Sequence, residues 1–471
     1  MEKTSFYVIT DTHYFSPSLM TPGKAFYNRQ ISDQVRLLES GPIIDAAFEK
    51  IAADPEIDTL LIHGDLINNG EKINHIEYRQ KLERLRACGK KIYITTATHD
   101  FTTGEGMENG FTPLYYTGDS THPAEGTARE ELREFYADYG FNQAYSIHEP
   151  SMSYAVDLGG GVRLLALNDD GDGRAFCGFY PDCIQWILDR AREARQSGEL
   201  LLAMTHHPVL PPVPAYAMMS ERSMVGDYKK IRELFADEGI RFVFTGHTHM
   251  HDIAEWRSAR GNSLYDIATG ALVGYPAPIR KVRVMEDRME ITTEHPGPFK
   301  WEGKTYETLP YLLEQIDALT DHAIEAARED HELFKVMADG FGLPGEPIDH
   351  NAMLVTIVGN ILNEATVGEL SAMLGSRADV QGIEELPVRD VVKRIFRNLF
   401  GGSEDVTPDT PEYRAIMGLV EAAPAAAANF GFEIGGETVR RLREILDGLL
   451  CDAPPNDDHA VLMMEDRIET R

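Results

Sequence analysis

The chain has 471 residues, 43% hydrophobic and 26% charged, enough for a large core and a second packed unit in a soluble protein. Asp and Glu number 76 against 45 Lys and Arg, a net charge of −31. A surface this acidic repels nucleic-acid backbones and anionic membranes, so neither is an expected partner; a small phosphorylated molecule held by local cations is not excluded.

Residues 1–10 run from Met1 into a predicted strand with no signal-peptide pattern, and no apolar run is long enough to cross a bilayer. The four cysteines (Cys88, Cys177, Cys183, Cys451) lack CxxC spacing, which fits a reducing cytosol and leaves a Cys177–Cys183 bridge open. The expected compartment is cytoplasmic. Short β-branched runs predict strands over 5–10, 59–63, 91–96, 162–167, 200–205 and 241–245. Helical spacing of apolar residues predicts helices between them, over 43–53, 71–87, 181–196 and 227–237. From 252 onward the pattern is β only, at 252–256, 263–268, 281–285 and 289–293. An α/β class follows, with a second sheet packed on the first as a layered sandwich.

Two long polar loops, 101–126 and 208–226, interrupt this unit, and loops of that length inside a compact domain are usually functional or disordered. Glu294-His-Pro-Gly-Pro298 breaks the chain and marks the predicted boundary between domains 1–298 and 299–471. Beyond it amphipathic helices are predicted over 306–328, 330–338, 352–374, 388–400, 411–428 and 437–450. This mostly helical part is expected to cover or regulate the first domain, or to join copies into a homo-oligomer.

Five clusters fall at the C-terminal ends of predicted strands, where open α/β sheets bind ligands. They are Asp11-Thr-His13, Gly64-Asp65, Thr98-His99-Asp100, His206-His207-Pro208 and Gly246-His247-Thr-His249. Singly each reads more readily as a polar turn or a helix cap. Together they bring carboxylates and imidazoles to one edge, where they would repel and desolvate one another unless cations sat among them.

Their order resembles the calcineurin-like metallophosphoesterase family over residues 6 to 293. The resemblance implies a four-layer α/β/β/α sandwich and a dinuclear metal centre that hydrolyses a phosphate mono- or diester by attack of a metal-bridged hydroxide. It places Asp11, His13 and His249 on the first metal ion, Asp65 between the two, and His206 and His247 on the second. His207 is then packing or supports a ligand. His99 corresponds to the histidine that meets the phosphate and the leaving group, with Asp100 orienting its ring. Mixed nitrogen and oxygen ligands without thiolate suit two divalent or trivalent ions of Mn, Fe, Zn or Co.

One departure stands out. The family pattern has Gly-Asn-His at the third cluster, with the amide oxygen on the second ion, whereas this chain has Ala97-Thr98-His99. Thr98 offers a hydroxyl on a shorter stem, which leaves three outcomes: weak coordination, contact through water, or a second site only partly filled. The last defines the alternative, a catalytically weak binding or regulatory protein. A nuclease on the same scaffold fits the acidic surface poorly.

Softer candidates surround these. Residues 168–173 (Asn-Asp-Asp-Gly-Asp-Gly) match half a calcium loop, but Phe179 replaces the closing acid, so an acidic turn is expected, with Asn168 or Asp169 near substrate. Asn68 and Asn69 either reach the site or cap a helix, and His63 either supports a ligand or is a polar strand residue. His75 is expected on a solvated helix face and Lys90-Lys91 at a helix–strand junction. Tyr115-Tyr116 suits either ring stacking or loop packing.

Overall fold

In this computed structural model the described residues are 1–102, 111–170, 177–219, 221–340, 346–429, 435–451 and 456–464. The strands in chain order are β1 (Glu2–Ile9), β2 (Thr59–His63), β3 (Lys91–Thr95), β4 (Leu114–Thr117), β5 (Ser120–Pro123), β6 (Ser146–His148), β7 (Ser153–Gly159), β8 (Val162–Ala166) and β9 (Leu200–Met204). They continue as β10 (Phe242–Thr245), β11 (Asp252–Arg257), β12 (Ser263–Ala268), β13 (Ile279–Met285), β14 (Arg288–Glu294), β15 (Phe299–Trp301), β16 (Lys304–Tyr306) and β17 (His459–Met463).

Period-two alternation along these strands sets the layers. In β8 to β10, Leu164, Leu202 and Phe244 face the other sheet, while Leu165, Ala203 and Val243 pack outward against helices Pro181–Ser197 and Tyr228–Glu238. Phe6 of β1 meets Phe244 edge-on across the sandwich, ring centroids 5.5 Å apart. Behind β1 to β3, helices Ser40–Ala53 and Lys72–Ala87 bury Ile43, Ala47, Leu82 and Leu85. The result is a four-layer α/β/β/α sandwich.

One sheet runs β17-β14-β13-β1-β2-β3, the other β11-β12-β10-β9-β8-β7-β6. β1, β2 and β3 are parallel to one another, as are β8, β9, β10 and β12. The C-terminal ends of both parallel sets converge on one edge, which is where the predicted clusters lie.

The predicted loop 101–126 contains the β4–β5 hairpin, while its residues 103–110 lie outside the described residues. After 306 the chain is helical until β17, which pairs antiparallel with β14, Met289 opposite Leu462. The chain thus crosses back over the boundary expected at 298. Among the described residues no helix is long and apolar enough to cross a membrane. All four cysteines are free.

Candidate metal centre

The exits from β1, β2 and β10 turn sharply and share a backbone signature. Asp11, His13, Asp65, His247 and His249 all have positive φ, at 48°, 34°, 48°, 64° and 59°. Non-glycine residues rarely adopt this region, and such strain persists only where the surroundings over-determine it. Glycines let the turns approach. A Cβ on Gly64 would lie 2.4 Å from His206 Nδ1, and one on Gly246 2.5 Å from Asp11 Oδ2. Hydrogen bonds lock the exits together: His13 N to Asp65 O at 3.0 Å, Gly64 N to Thr95 O at 3.1 Å and Gly246 N to His206 O at 2.9 Å.

The side chains form two adjoining groups, Asp11 with His13 and His249, and Asp65 with His206 and His247, the ligand atoms of each within 4.8 Å of one another. Asp11 Oδ1 is fully buried and takes no hydrogen bond. Around it stand the Nε2 atoms of His249 at 3.3 Å, His13 at 3.6 Å and His206 at 3.9 Å. His13 Nε2 and His249 Nε2 are 3.2 Å apart. His206 Nδ1 donates to His63 O at 2.9 Å, which leaves its Nε2 facing the carboxylates, with Asp65 Oδ2 at 2.9 Å. Burial disfavours a charged His206 ring, yet Asp65 and Asp11 outweigh it and raise its pKa to about 10. Two buried carboxylates therefore demand positive charge at this spot. The donor set, imidazole nitrogens with carboxylate oxygens, fits a pair of metal ions.

His99 and Asp100 lie on a single turn, Thr98–Asp100, after β3. His99 N donates to Asp65 Oδ1 at 3.1 Å, which ties this turn to the second group; Thr98, its neighbour, is buried. Burial pushes the His99 ring pKa down to about 4. Its Nδ1 meets Asn68 O at 2.5 Å and Asn69 Oδ1 at 2.8 Å. A backbone carbonyl can only accept, so Nδ1 carries the proton and Nε2 is the atom turned to chemistry. The expected orienting role of Asp100 is thus filled by Asn68 and Asn69. Asp100 accepts instead from Leu66 N, Ile67 N and Ala97 N at 2.8, 3.1 and 2.8 Å, which holds the β2 and β3 exits in register.

The softer candidates sort themselves. Asn68 and Asn69 are both braced by buried Glu71. His63 is fully buried, and its carbonyl supports His206. His75 is buried rather than solvated: Nε2 pairs with Asp100 O and Nδ1 with Tyr136 OH, both at 2.7 Å. The cause is that helix Lys72–Ala87 lies under the β3 exit. Asn168 accepts from Thr96 N, Asp170 pairs with Arg129, and Asp169 binds His207 Nδ1 at 2.9 Å, so these acids serve protein contacts; residues 171–173 lie outside the described residues. Lys90 Nζ reaches the Asp54 and Ile57 carbonyls and Lys91 pairs with Asp58, as suits a junction. Tyr116 packs on Phe26, and Tyr115 stacks on His122.

Phe111 was not anticipated. Its ring stacks on His99, centroids 3.6 Å apart. An aromatic in a long polar loop gives no local signal of where it lands.

A search of curated proteins finds no match. Among solved structures, a dimetal phosphatase from Danio rerio shares 13% identity, covering 65% of this chain and 100% of that one, TM-score 0.43. A purple acid phosphatase from yellow lupin seeds shares 12%, covering 64% and 52%, TM-score 0.41. An NAD nucleotidase from Haemophilus influenzae shares 14%, covering 78% and 61%, TM-score 0.32. The profile of the calcineurin-like phosphoesterases matches residues 4–251, more than half of the sequence. The chain belongs to the calcineurin-like phosphoesterase family.

Proposed function

We propose that this metal-dependent phosphoesterase hydrolyses a phosphate mono- or diester of a small molecule or nucleotide, with Asp11, His13 and His249 holding one ion and Asp65, His206 and His247 the other. The observation that carries this reading is the adjacency of the two ligand groups, His206 Nε2 standing 3.9 Å from Asp11 Oδ1 and 2.9 Å from Asp65 Oδ2. Asp65 would serve both ions, and Thr98 would offer its hydroxyl to the second. Bound ions of Mn, Fe, Zn or Co supply charge that draws the phosphate in and acidity that makes water a nucleophile at neutral pH.

The protein's own groups do the rest. His63 O and Asn68 O fix the tautomers of His206 and His99 through their Nδ1 atoms. His99, protonated at Nε2 from solvent, would give that proton to the departing ester oxygen and return to the neutral ring protonated at Nδ1. The Phe111 ring on His99 excludes water from that face of the imidazole. Asp100 holds the turns carrying Asp65 and His99 at fixed separation.

The free cysteines fit a cytoplasmic setting, and the net charge of −31 disfavours nucleic acid. Apolar Met353, Leu354, Ile357 and Val358 are exposed on helix Ala352–Glu364, which supports self-association through the C-terminal helices.

The test is metal content together with hydrolysis of bis-p-nitrophenyl phosphate and p-nitrophenyl phosphate, on wild type and Asp65→Asn. Two ions per chain, with turnover lost in the variant, is the expected result. One ion or none, and no turnover with Mn, Fe, Zn or Co, overturns it and leaves a binding or regulatory protein with an impaired second site.

A further inference from the structure

The turn that carries His247 and His249 is held from the C-terminal part of the chain. Met250, next to His249, is buried in one apolar cluster with Val213 and Tyr228 of the sandwich and with Ile316, Leu319 and Phe400 of helices Thr308–Glu329 and Val388–Gly401. His251 N donates to Phe400 O at 3.2 Å. Gly402 ends that helix at φ 65°, and a Cβ on it would stand 2.2 Å from the His251 carbonyl oxygen. Only glycine allows this approach.

A second strap lies on the other side. Asp457 N donates to Gly402 O at 3.0 Å, and Asp457 Oδ1 accepts from Ile253 N at 2.9 Å. Arg280, on β13 and fully buried, reaches the carbonyls of Asp252, Ala268 and Asp457 at 3.1, 2.6 and 2.8 Å. The backbone just past His249 is therefore clamped to residues 400–402 and 457. Left-handed backbone at His247 and His249 is disfavoured in isolation, so something must impose it. The contacts around residues 250–253 come from these C-terminal segments together with β12, Thr293 and Arg280 of the sandwich.

We propose that the C-terminal segment is a positioning element of the metal centre: Gly402 and Asp457 hold the 247–251 turn in the form that presents His249, and so set the affinity for the first ion. This rests on the assignment of Asp11, His13 and His249 to that ion. The folded C-terminal region is then part of the active-site scaffold, although none of its described residues enters either ligand group.

The experiment is chelator competition with Mn(II) alone on the full chain, comparing wild type, Asp457→Ala, Asp457→Asn, Gly402→Ala, Arg397→Ala and His249→Ala, each checked for folding by circular dichroism. Supporting residues around metal ligands change affinity by about 10–100-fold, so Asp457→Ala and Gly402→Ala are expected to weaken one ion by about tenfold or more and spare the other. Asp457→Asn keeps the acceptor for Ile253 N and should remain near wild type. Arg397→Ala, which breaks the pair with Asp317 between helices Val388–Gly401 and Thr308–Glu329, should lower the unfolding temperature without weakening either ion. Wild-type affinity for both ions in folded Asp457→Ala and Gly402→Ala overturns the inference. Retention of both ions in His249→Ala would instead overturn the ligand assignment beneath it.

Discussion

His99 shows how a single side chain's neighbours set its chemistry. Two oxygens at Nδ1 and burial under Phe111 leave one lone pair, on a ring whose pKa is lowered to about 4. Such an imidazolium is a strong acid, useful where the leaving oxygen is basic. His99→Ala is therefore expected to lower kcat for an alkyl phosphate ester by about 10²–10⁴ and for a p-nitrophenyl ester far less, since nitrophenolate departs without a proton. Equal losses on both esters would remove His99 from leaving-group protonation. Gly246 gives a second prediction at this scale. Its Cβ would fall 2.4 Å from Thr10 Oγ1 and 2.5 Å from Asp11 Oδ2, so Gly246→Ala should displace Asp11 and cost about 1–3 kcal/mol. Full metal content and an unchanged unfolding temperature would refute it. That Asp11, His13, Asp65, His247 and His249 would come together was readable in the order of DxH, GD and GHxH. The partners of His99 were less so: Asn69 is four residues past Asp65, but Phe111 has no spacing that marks it.

Among the elements, β1, β13 and the end of helix Ser40–Ala53 are stitched by Asp54. Its carboxylate accepts from Lys281 Nζ at 2.8 Å and Tyr7 OH at 2.6 Å. Burial alone would raise its pKa, but Lys281, Tyr7 and the Glu56 amide outweigh burial and hold it below the usual carboxylate range. Because the folded pKa is depressed, this stabilisation is complete above the unfolded value of about 4 and disappears as pH falls through the folded one. Asp54→Asn should cost about 1 kcal/mol near pH 7, and the gap in unfolding free energy should narrow below about pH 4. A gap that is constant with pH would show that the charge of Asp54 does not stabilise the fold. Elements with strong periodicity appeared where their pattern put them, β2 and β12 to the residue. The predicted helix 352–374 is two helices, because Thr366 and Glu369 cap each other reciprocally and restart the chain. That Thr-x-x-Glu was legible. β6 and β7 were not, since short strands take their stability from the neighbour they pair with rather than from their own residues.

For the molecule as a whole, ions bound at the two groups would stabilise the folded chain. Five residues of those groups in left-handed backbone, and two carboxylates against one imidazole edge, are tolerated most easily around cations. A ligand at a hundred times its Kd adds about 2.7 kcal/mol. Dialysis against a chelator should therefore lower the unfolding temperature by several degrees, with recovery on adding Mn(II) or Zn(II); no change would mean that the fold is indifferent to metal. At this scale the sandwich was readable, because five motif-bearing strands share one logic of apolar runs ending in polar turns. The return of the chain into the first sheet was not, because β17 is a five-residue edge strand with alternating exposure and no long apolar run.

That return has a kinetic side. The sheet beside the metal centre joins residues 2–9 to 279–285, then to 288–294 and finally to 459–463. Contacts so distant along the chain close slowly. During synthesis β1 to β3 emerge long before β13, so one edge of β1 must wait, unpaired, for most of the polypeptide to leave the ribosome. A nascent chain in that state has reason to need a chaperone until β13 arrives to cover the edge.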